Sequence, residues 1–333
     1  MLSVLAIDAG GTSTRAVIVD GAGNCLGFGH SGGGNPISAG FEPALASLAA
    51  ATRTALESSH GVQVISSAVI AMAGATSRMP REELTRRFTE LGLRGELVLE
   101  SDLLAMFRSG TLSASGYALI AGTGSVAARV DAGTLGTVSG GAGWLLGDGG
   151  SGFWIGHRVA RSVVAFLDGR GPETALTPAL LSAVGLTATG ERAHGRARVL
   201  LDLIDALYSV PPVELSRFAP LAFQSRTDPV ALEILRAAAI ELVDTLAAIR
   251  TAHADGPVVL GGSILATMPG GNPVAQALAS ELNGAELIEA RDGVVGAAVL
   301  ALTRAGVAVD APMQDLIGRG VAAFRQTATV GSS

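Results

Sequence analysis

The opening octapeptide of the chain's first strand and turn comes back further along. Ala6-Ile7-Asp8-Ala9-Gly10-Gly11-Thr12-Ser13 lies without gaps over Ala118-Leu119-Ile120-Ala121-Gly122-Thr123-Gly124-Ser125. Each copy reads as an apolar strand, a tight Gly/Thr/Ser turn and a second strand, Thr14 to Val19 in the first and Val126 to Val130 in the second. A pattern that restarts in this way predicts a duplicated domain, and 333 residues leave room for two cores.

The stretch before the restart supplies the elements of the first copy. After the two opening strands, Asp20-Gly21 turns the chain into a third strand ending near Phe28, and Gly32-Gly33-Gly34-Asn35-Pro36 forms a loop. Leu45, Leu48, Ala49, Thr52 and Leu56 then recur at helical spacing, Val64 to Met72 reads as a buried strand, Arg81 to Leu91 as a helix, and Glu96 to Leu99 as a strand. The order β-β-β-α-β-α-β therefore defines a first lobe over residues 1–115. A second lobe, 116–311, carries a Gly-rich stretch at 140–152, predicted helices at Ile155–Phe166, Arg196–Tyr208, Val230–Ala252, Asn272–Leu282 and Gly293–Ala305, and strands at Val258–Gly262 and Glu286–Glu289. A last helix, 312–326, is expected to pack back across the first lobe.

Composition removes several chemistries. All 23 basic residues are arginine, so no lysine is available for a Schiff base, for pyridoxal phosphate or for a Walker-type phosphate loop. Cys25 is the single cysteine, which excludes a disulfide within the chain, a cysteine-rich zinc site and an iron–sulfur cluster held by one chain. The formal charge of −6, without a basic run, argues against nucleic acid as a partner. Met1 to Ile7 lacks the charged start of a signal peptide and no run spans a membrane, so the expected location is cytoplasmic with no membrane partner. His30, His60, His194 and His253 show no metal-ligand spacing, and His157 reads as a packed helix residue.

Five segments carry the chemistry. In Gly10-Gly11-Thr12-Ser13-Thr14 the glycines let backbone N–H groups approach an oxyanion and the hydroxyls add donors, while Asp8 at the strand end can hold a hydrated Mg²⁺. Gly122-Thr123-Gly124-Ser125 repeats that arrangement. It also fits a dinucleotide fingerprint, but no helix pattern follows it. Asp102 ends a strand and opens a helix, a position from which a carboxylate can take a proton from a hydroxyl; taken without the phosphate turns, helix capping by Ser101 or Asp102 is the favoured reading. Gly143-Trp144 and Asp148 stand in the Gly-rich stretch, where Trp can flank a sugar ring and Asp can accept hydroxyl hydrogen bonds; Trp154 reads as core. Gly261-Gly262-Ser263 follows a strand and could seat a flat base.

In this order the pieces resemble the N-acetylglucosamine kinases and the wider BadF/BadG/BcrA/BcrD ATPase family, within the sugar kinase, actin and heat-shock ATPase superfamily. The likeness runs from residue 4 to about 302. It rests on a D-x-G-G-T-x-T motif at Asp8 to Thr14, a G-T-G-S turn at Gly122 to Ser125, an adenosine turn at Gly261 to Ser263, and a G-W-x-x-G-D-E-G-S-like segment at Gly143 to Ser151. An Asn after a small-residue loop is matched by Asn35 and a catalytic Asp after a strand by Asp102. Two positions depart: Ser13 stands where Lys is common, and Gly149 where Glu is usual.

The resemblance implies an α/β, two-lobed actin-like ATPase fold of the ribonuclease H type, with the duplicated domains around a central cleft; the placing of the phosphate turns on different lobes adds the expectation that sugar closes it. It implies ATP-dependent phosphorylation of an amino sugar at the 6-hydroxyl, N-acetylglucosamine first and glucosamine or another hexosamine or muramic acid as the alternative, with ATP and Mg²⁺ as cofactors. Asp102 would be the base, and Asn35, Asp102, Ser125, Gly143, Trp144 and Asp148 would hold the sugar. Gly10 to Thr14, Gly122 to Gly124 and Gly261 to Ser263 would hold the nucleotide, and Asp8 the metal. A sugar or nucleotide sensor without catalysis is the reading from another class. The small-residue helices would permit a homodimer.

Overall fold

The computed structural model describes residues 2–59, 61–72, 80–250, 256–268, 271–282 and 284–330, and the chain divides into two compact units, Met1–Ala118 with Val130–Leu135 and Ala290–Ser333, and Leu119–Arg129 with Gly136–Glu289. In the first, β1 (Ser3–Ala9), β2 (Thr14–Asp20) and β3 (Cys25–Ser31) form an antiparallel meander. The chain continues through α1 (Pro36–Ala39) and α2 (Phe41–Glu57) to β4 (Ser67–Met72), α3 (Arg81–Glu90), β5 (Leu97–Ser101) and α4 (Asp102–Gly110). Strand order is β3-β2-β1-β4-β5, with β4 parallel to both β1 and β5. The apolar run Val4–Ile7 is wholly buried, as a strand covered on both faces must be.

Glycine sets the contact of α2 with the sheet. A Cβ at Gly29 would lie 1.9 Å from the Ala51 carbonyl oxygen, and one at Gly27 2.1 Å from that of Ala55, so α2 lays its alanine face directly on β3.

The second sheet repeats the first. β6 (Gly116–Ala121), β7 (Ser125–Asp131) and β8 (Thr134–Gly140) precede a helical stretch: α5 (Gly152–Leu167), α6 (Leu176–Ala183), the short strands β9 (Arg192–Ala193) and β10 (Arg196–Ala197), α7 (Arg198–Tyr208), a 3₁₀ segment Pro212–Phe218, α8 (Ala219–Gln224) and α9 (Pro229–Ala247). Then follow β11 (Val258–Gly261), α10 (Pro273–Glu281) and β12 (Leu287–Glu289). Strand order β12-β11-β6-β7-β8 is that of the first sheet with each strand in the equivalent place. The molecule is a duplicated α/β fold.

The second lobe was expected to run to residue 311, but the contacts group Ala290–Ser333 with the first unit. The reason is α11 (Gly293–Arg304), whose Gly296 touches α4 so closely that a Cβ there would lie 1.7 Å from the Ala105 carbonyl oxygen. α12 (Ala311–Val330) also belongs to this unit: Phe324 stacks on Phe28 of β3 with ring centroids 6.4 Å apart. The helix expected at Val230–Ala252 ends at Ala247; residues 251 and 252 lie outside the described residues, as do His60 and His253. Among the described residues no helix is long and apolar enough to cross a membrane.

Candidate functional site

In the first unit, β1 ends at Ala9 and β2 begins at Thr14, so Gly10–Ser13 closes the hairpin, with the Gly10 N–H donating to the Ser13 carbonyl at 2.9 Å. Among the described residues, the N–H groups of Gly11, Thr12 and Ser13 make no backbone hydrogen bond, which leaves a row of donors of the kind that binds oxyanions. The next loop seals the turn from behind. The N–H groups of Gly34 and Asn35 donate to the Gly10 carbonyl at 3.0 and 3.2 Å, and the Thr14 hydroxyl donates to the Gly32 carbonyl at 2.8 Å. A Cβ at Gly33 would lie 2.3 Å from the Gly11 carbonyl oxygen, so this approach requires glycine. Asn35 is thereby buried next to the turn.

Asp8 faces Arg15 across the β1–β2 ladder, with Arg15 Nη1 3.5 Å from Asp8 Oδ2 and 3.4 Å from Asp292 Oδ1. Burial pushes the Asp8 carboxyl up to about 6; Arg15 opposes the rise, while the carboxylates of Asp292 and Asp102 add to it. Gly293 opens α11 against the same carboxylate, since a Cβ there would lie 2.8 Å from Asp8 Oδ2. A carboxylate already strained by burial and like charge, beside a turn rich in phosphate donors, fits Mg²⁺, which takes one or two carboxylates and fills its shell from phosphate and water. No cluster of three or more His, Cys, Asp or Glu that could hold a metal occurs among the described residues.

Asp102 stands at the junction of β5 and α4. Ser101 is the N-cap, its Oγ accepting from the Leu103 N–H at 3.2 Å, and Asp102 Oδ1 accepts from that same N–H at 2.9 Å. Burial raises the Asp102 pKa above the ordinary carboxylate value. The capping duty is thus shared, and Ser101 alone could discharge it.

In the second unit the Gly122–Ser125 turn closes with the Gly122 N–H donating to the Gly124 carbonyl at 2.9 Å. A strand, β7, follows it, where a dinucleotide fingerprint would open a helix. Asp148, in a left-handed conformation at φ 60°, accepts from the Ser125 N–H at 3.1 Å, and the Ser125 hydroxyl donates to the Gly149 carbonyl at 2.7 Å. Ser125 therefore ties the turn to the Asp148 loop. A Cβ at Gly124 would lie 2.8 Å from Asp148 Oδ1. Burial raises the Asp148 pKa, against the hydrogen bond from Ser125. Gly143 is also left-handed (φ 78°) and carries Trp144, which is 40% exposed and meets Phe153 edge-on at 5.8 Å. Trp154 is half-buried beneath the Arg158 guanidinium, 4.2 Å from its ring centroid, and His157 stacks on Phe153.

The Gly261–Ser263 turn packs onto the end of β6. A Cβ at Gly262 (φ 89°) would lie 2.3 Å from the Ala121 carbonyl oxygen, to which the Ile264 N–H donates at 2.9 Å. A cavity of about 260 Å³ joins Gly122 and Thr123 to Ser263, walled by Arg217, Pro220, Phe223, Ile264 and Met268. Arg217, Pro220 and Phe223 come from the 3₁₀ segment and α8, where the sequence carries no motif. Arg15 and Asp292 also escaped the sequence reading, although Arg15 could have been found by pairing the hairpin strands outward from the turn.

Comparison with solved structures agrees with the duplicated α/β fold. An N-acetyl-D-glucosamine kinase from Dictyostelium discoideum is 30% identical over 259 residues, covering 73% of this chain and 77% of that protein. Among solved structures, a candidate N-acetylglucosamine kinase from Chromobacterium violaceum shares the fold with a TM-score of 0.67 at 23% identity, covering 91% of this chain and 99% of that one. A ROK family glucokinase from Streptomyces griseus, solved with glucose and AMPPNP, does so with a TM-score of 0.51 at 17% identity, covering 90% and 99%. The sequence profile of the BadF/BadG/BcrA/BcrD ATPase family matches residues 5–301, and the chain belongs to that family.

Proposed function

We propose that this chain is an ATP-dependent sugar kinase that transfers the γ-phosphoryl group to the 6-hydroxyl of an amino sugar, N-acetylglucosamine in the first place. The observation that carries the reading is the same in both sheets: a Gly-rich turn after the first strand, with open N–H donors, set beside an acidic side chain of raised pKa. Family membership and the 30% identical N-acetyl-D-glucosamine kinase support it.

In this mechanism the first unit offers phosphate oxygens the N–H donors of Gly11 to Ser13, braced by the buried Thr14 hydroxyl on the Gly32 carbonyl, and the second unit offers those of Thr123 and Gly124. The base is seated between Gly261–Ser263 and the apolar wall of Phe223, Ile264 and Met268. Asp102 orients the 6-hydroxyl and takes its proton as the new P–O bond forms and the bond to ADP breaks; its raised pKa moves it toward the value an effective base needs. Toward the sugar the first unit offers Asn35 and the second offers Trp144 and Asp148, with Ser125 fixing Asp148. When bound through Asp8, Mg²⁺ would neutralise charge on the phosphates.

ADP release measured with N-acetylglucosamine, glucosamine, N-acetylmannosamine, N-acetylmuramic acid and glucose tests the reading. Sugar-stimulated release with an amino sugar supports it. Its absence with all five favours a non-catalytic sensor.

A further inference from the structure

The cavity beside the second turn is lined by a single ionisable residue. Arg217 faces the space that joins Gly122 and Thr123 to Ser263, and the rest of the lining is apolar or neutral. Among the described residues its guanidinium makes no hydrogen bond and no ion pair; its contact is with the Phe218 ring, 4.8 Å from the guanidinium carbon to the centroid. Glu214 lies one 3₁₀ turn earlier, where residues three apart eclipse, and still does not pair with it.

The same helix fixes both the arginine and the turn. At the start of α5 the Gly152 N–H donates to the Gly122 carbonyl at 2.7 Å and the Phe153 N–H to the Thr123 carbonyl at 3.1 Å. These bonds engage two carbonyls of the turn, while the Thr123 N–H makes no backbone hydrogen bond. One helical turn further, Gly156 clasps the 3₁₀ segment so closely that a Cβ there would lie 1.9 Å from the Leu215 carbonyl oxygen. Arg217 follows two residues later, and buried Phe218 supports it from beneath. A fixed cation without a counter-charge, in one cavity with a turn whose carbonyls are engaged, is a site for an anion from outside the chain.

We propose that Arg217 binds the phosphates of the nucleotide seated in this cavity, so that the second unit recognises a phosphorylated nucleoside rather than the base alone. This rests on the nucleotide reading above and deepens it: in a chain without lysine, the positive charge at the second turn comes from the 3₁₀ segment. The competing role for an arginine already stacked on one ring is to stack on the base, which would make it indifferent to phosphate.

Calorimetric titration of the full chain with ADP and with adenosine separates the two roles, in wild type and in Arg217→Met, which keeps an apolar stem over Phe218 and removes the charge. ADP should bind about tenfold more weakly in the variant and adenosine less than about twofold more weakly. Arg217→Gln serves if Arg217→Met does not fold. Equal weakening of ADP and adenosine, or no weakening of either, overturns the inference and leaves the kinase reading standing. ADP binding that depends on Arg217, without ADP release from ATP for any sugar, upholds the inference and overturns the kinase reading. A wild type that binds neither ADP nor adenosine overturns both.

Discussion

Arg15 stands between two carboxylates, 3.5 Å from Asp8 and 3.4 Å from Asp292, and Arg325 closes the chain of charges on the other side of Asp292. Arg15 bridges the two carboxylates and, with Arg325 on Asp292, opposes their mutual repulsion. Ser13 leaves the turn without a cation of its own, so Arg15 is the positive charge nearest Asp8 that this unit supplies.

Asp8 should cost stability when ionised. Its folded-state pKa of about 6 lies above the ordinary 3.8, so the folded chain binds this proton more tightly than the unfolded chain. The contribution is therefore most favourable at low pH and is lost as pH rises through the window from about 4 to about 6. At pH 7 the penalty amounts to at most about 3 kcal/mol. Asp8→Asn should raise the melting temperature at pH 7, abolish phosphoryl transfer, and flatten the dependence of melting on pH across that window. A variant with the wild-type pH dependence would remove the titration from Asp8.

Asp102 and Ser101 separate chemistry from capping. Asn at 102 keeps an oxygen for the Leu103 N–H, so Asp102→Asn should melt no lower than the wild type and bind both substrates while kcat falls by ~10²–10⁴. Ser101→Ala should do the reverse, losing about 1 kcal/mol of stability with kcat nearly unchanged. Steady-state kinetics and thermal melts on the pair check this, and a kcat preserved in Asp102→Asn would leave Asp102 as a cap only.

The turn at Gly262 allows no side chain. Gly262→Ala adds a methyl against the Ala121 carbonyl and places alanine at positive φ, costing on the order of 1–3 kcal/mol. It should also raise the KM for ATP more than that for sugar. Phe223→Ala, which widens the adjoining cavity without touching the turn, should raise the KM for ATP with less loss of stability. Equal effects on both substrates in calorimetric titration would move the base elsewhere.

Close helix packing gives a test of the fold alone. Gly296→Ala forces α11 away from α4 and should destabilise by about 1–3 kcal/mol or more in denaturant unfolding. A neutral result would mean that the two helices slide apart freely.

The opening hairpin, the second turn and the strand before Asp102 were readable because apolar runs ending in Gly, Thr and Ser have few other interpretations. β8 was not, since Thr134–Gly140 is an exposed, largely polar edge strand with no apolar alternation to mark it. Arg15 carries no local signal, and only the register sets it opposite Asp8. Arg217 was invisible for a different reason: its place beside the Gly122–Ser125 turn depends on how the 3₁₀ segment lies on α5, distant in sequence, which no local pattern encodes. The boundary expected at 311 failed on the same ground, because small residues such as Gly296 report that a helix packs closely without saying on what.

The first unit is built from both ends of the chain, and this orders events during synthesis. Residues 2–110 leave the ribosome with their sheet and helices complete, yet α11 and α12, which cover α4 and β3, emerge only after the whole of the second unit. Until then the nascent chain exposes the surfaces that Gly296 and Phe324 later cover. The second unit, contiguous but for its first strands, can close while the first is still waiting. Truncation ahead of Gly293 should therefore leave a nascent first unit prone to chaperone capture rather than a smaller stable domain.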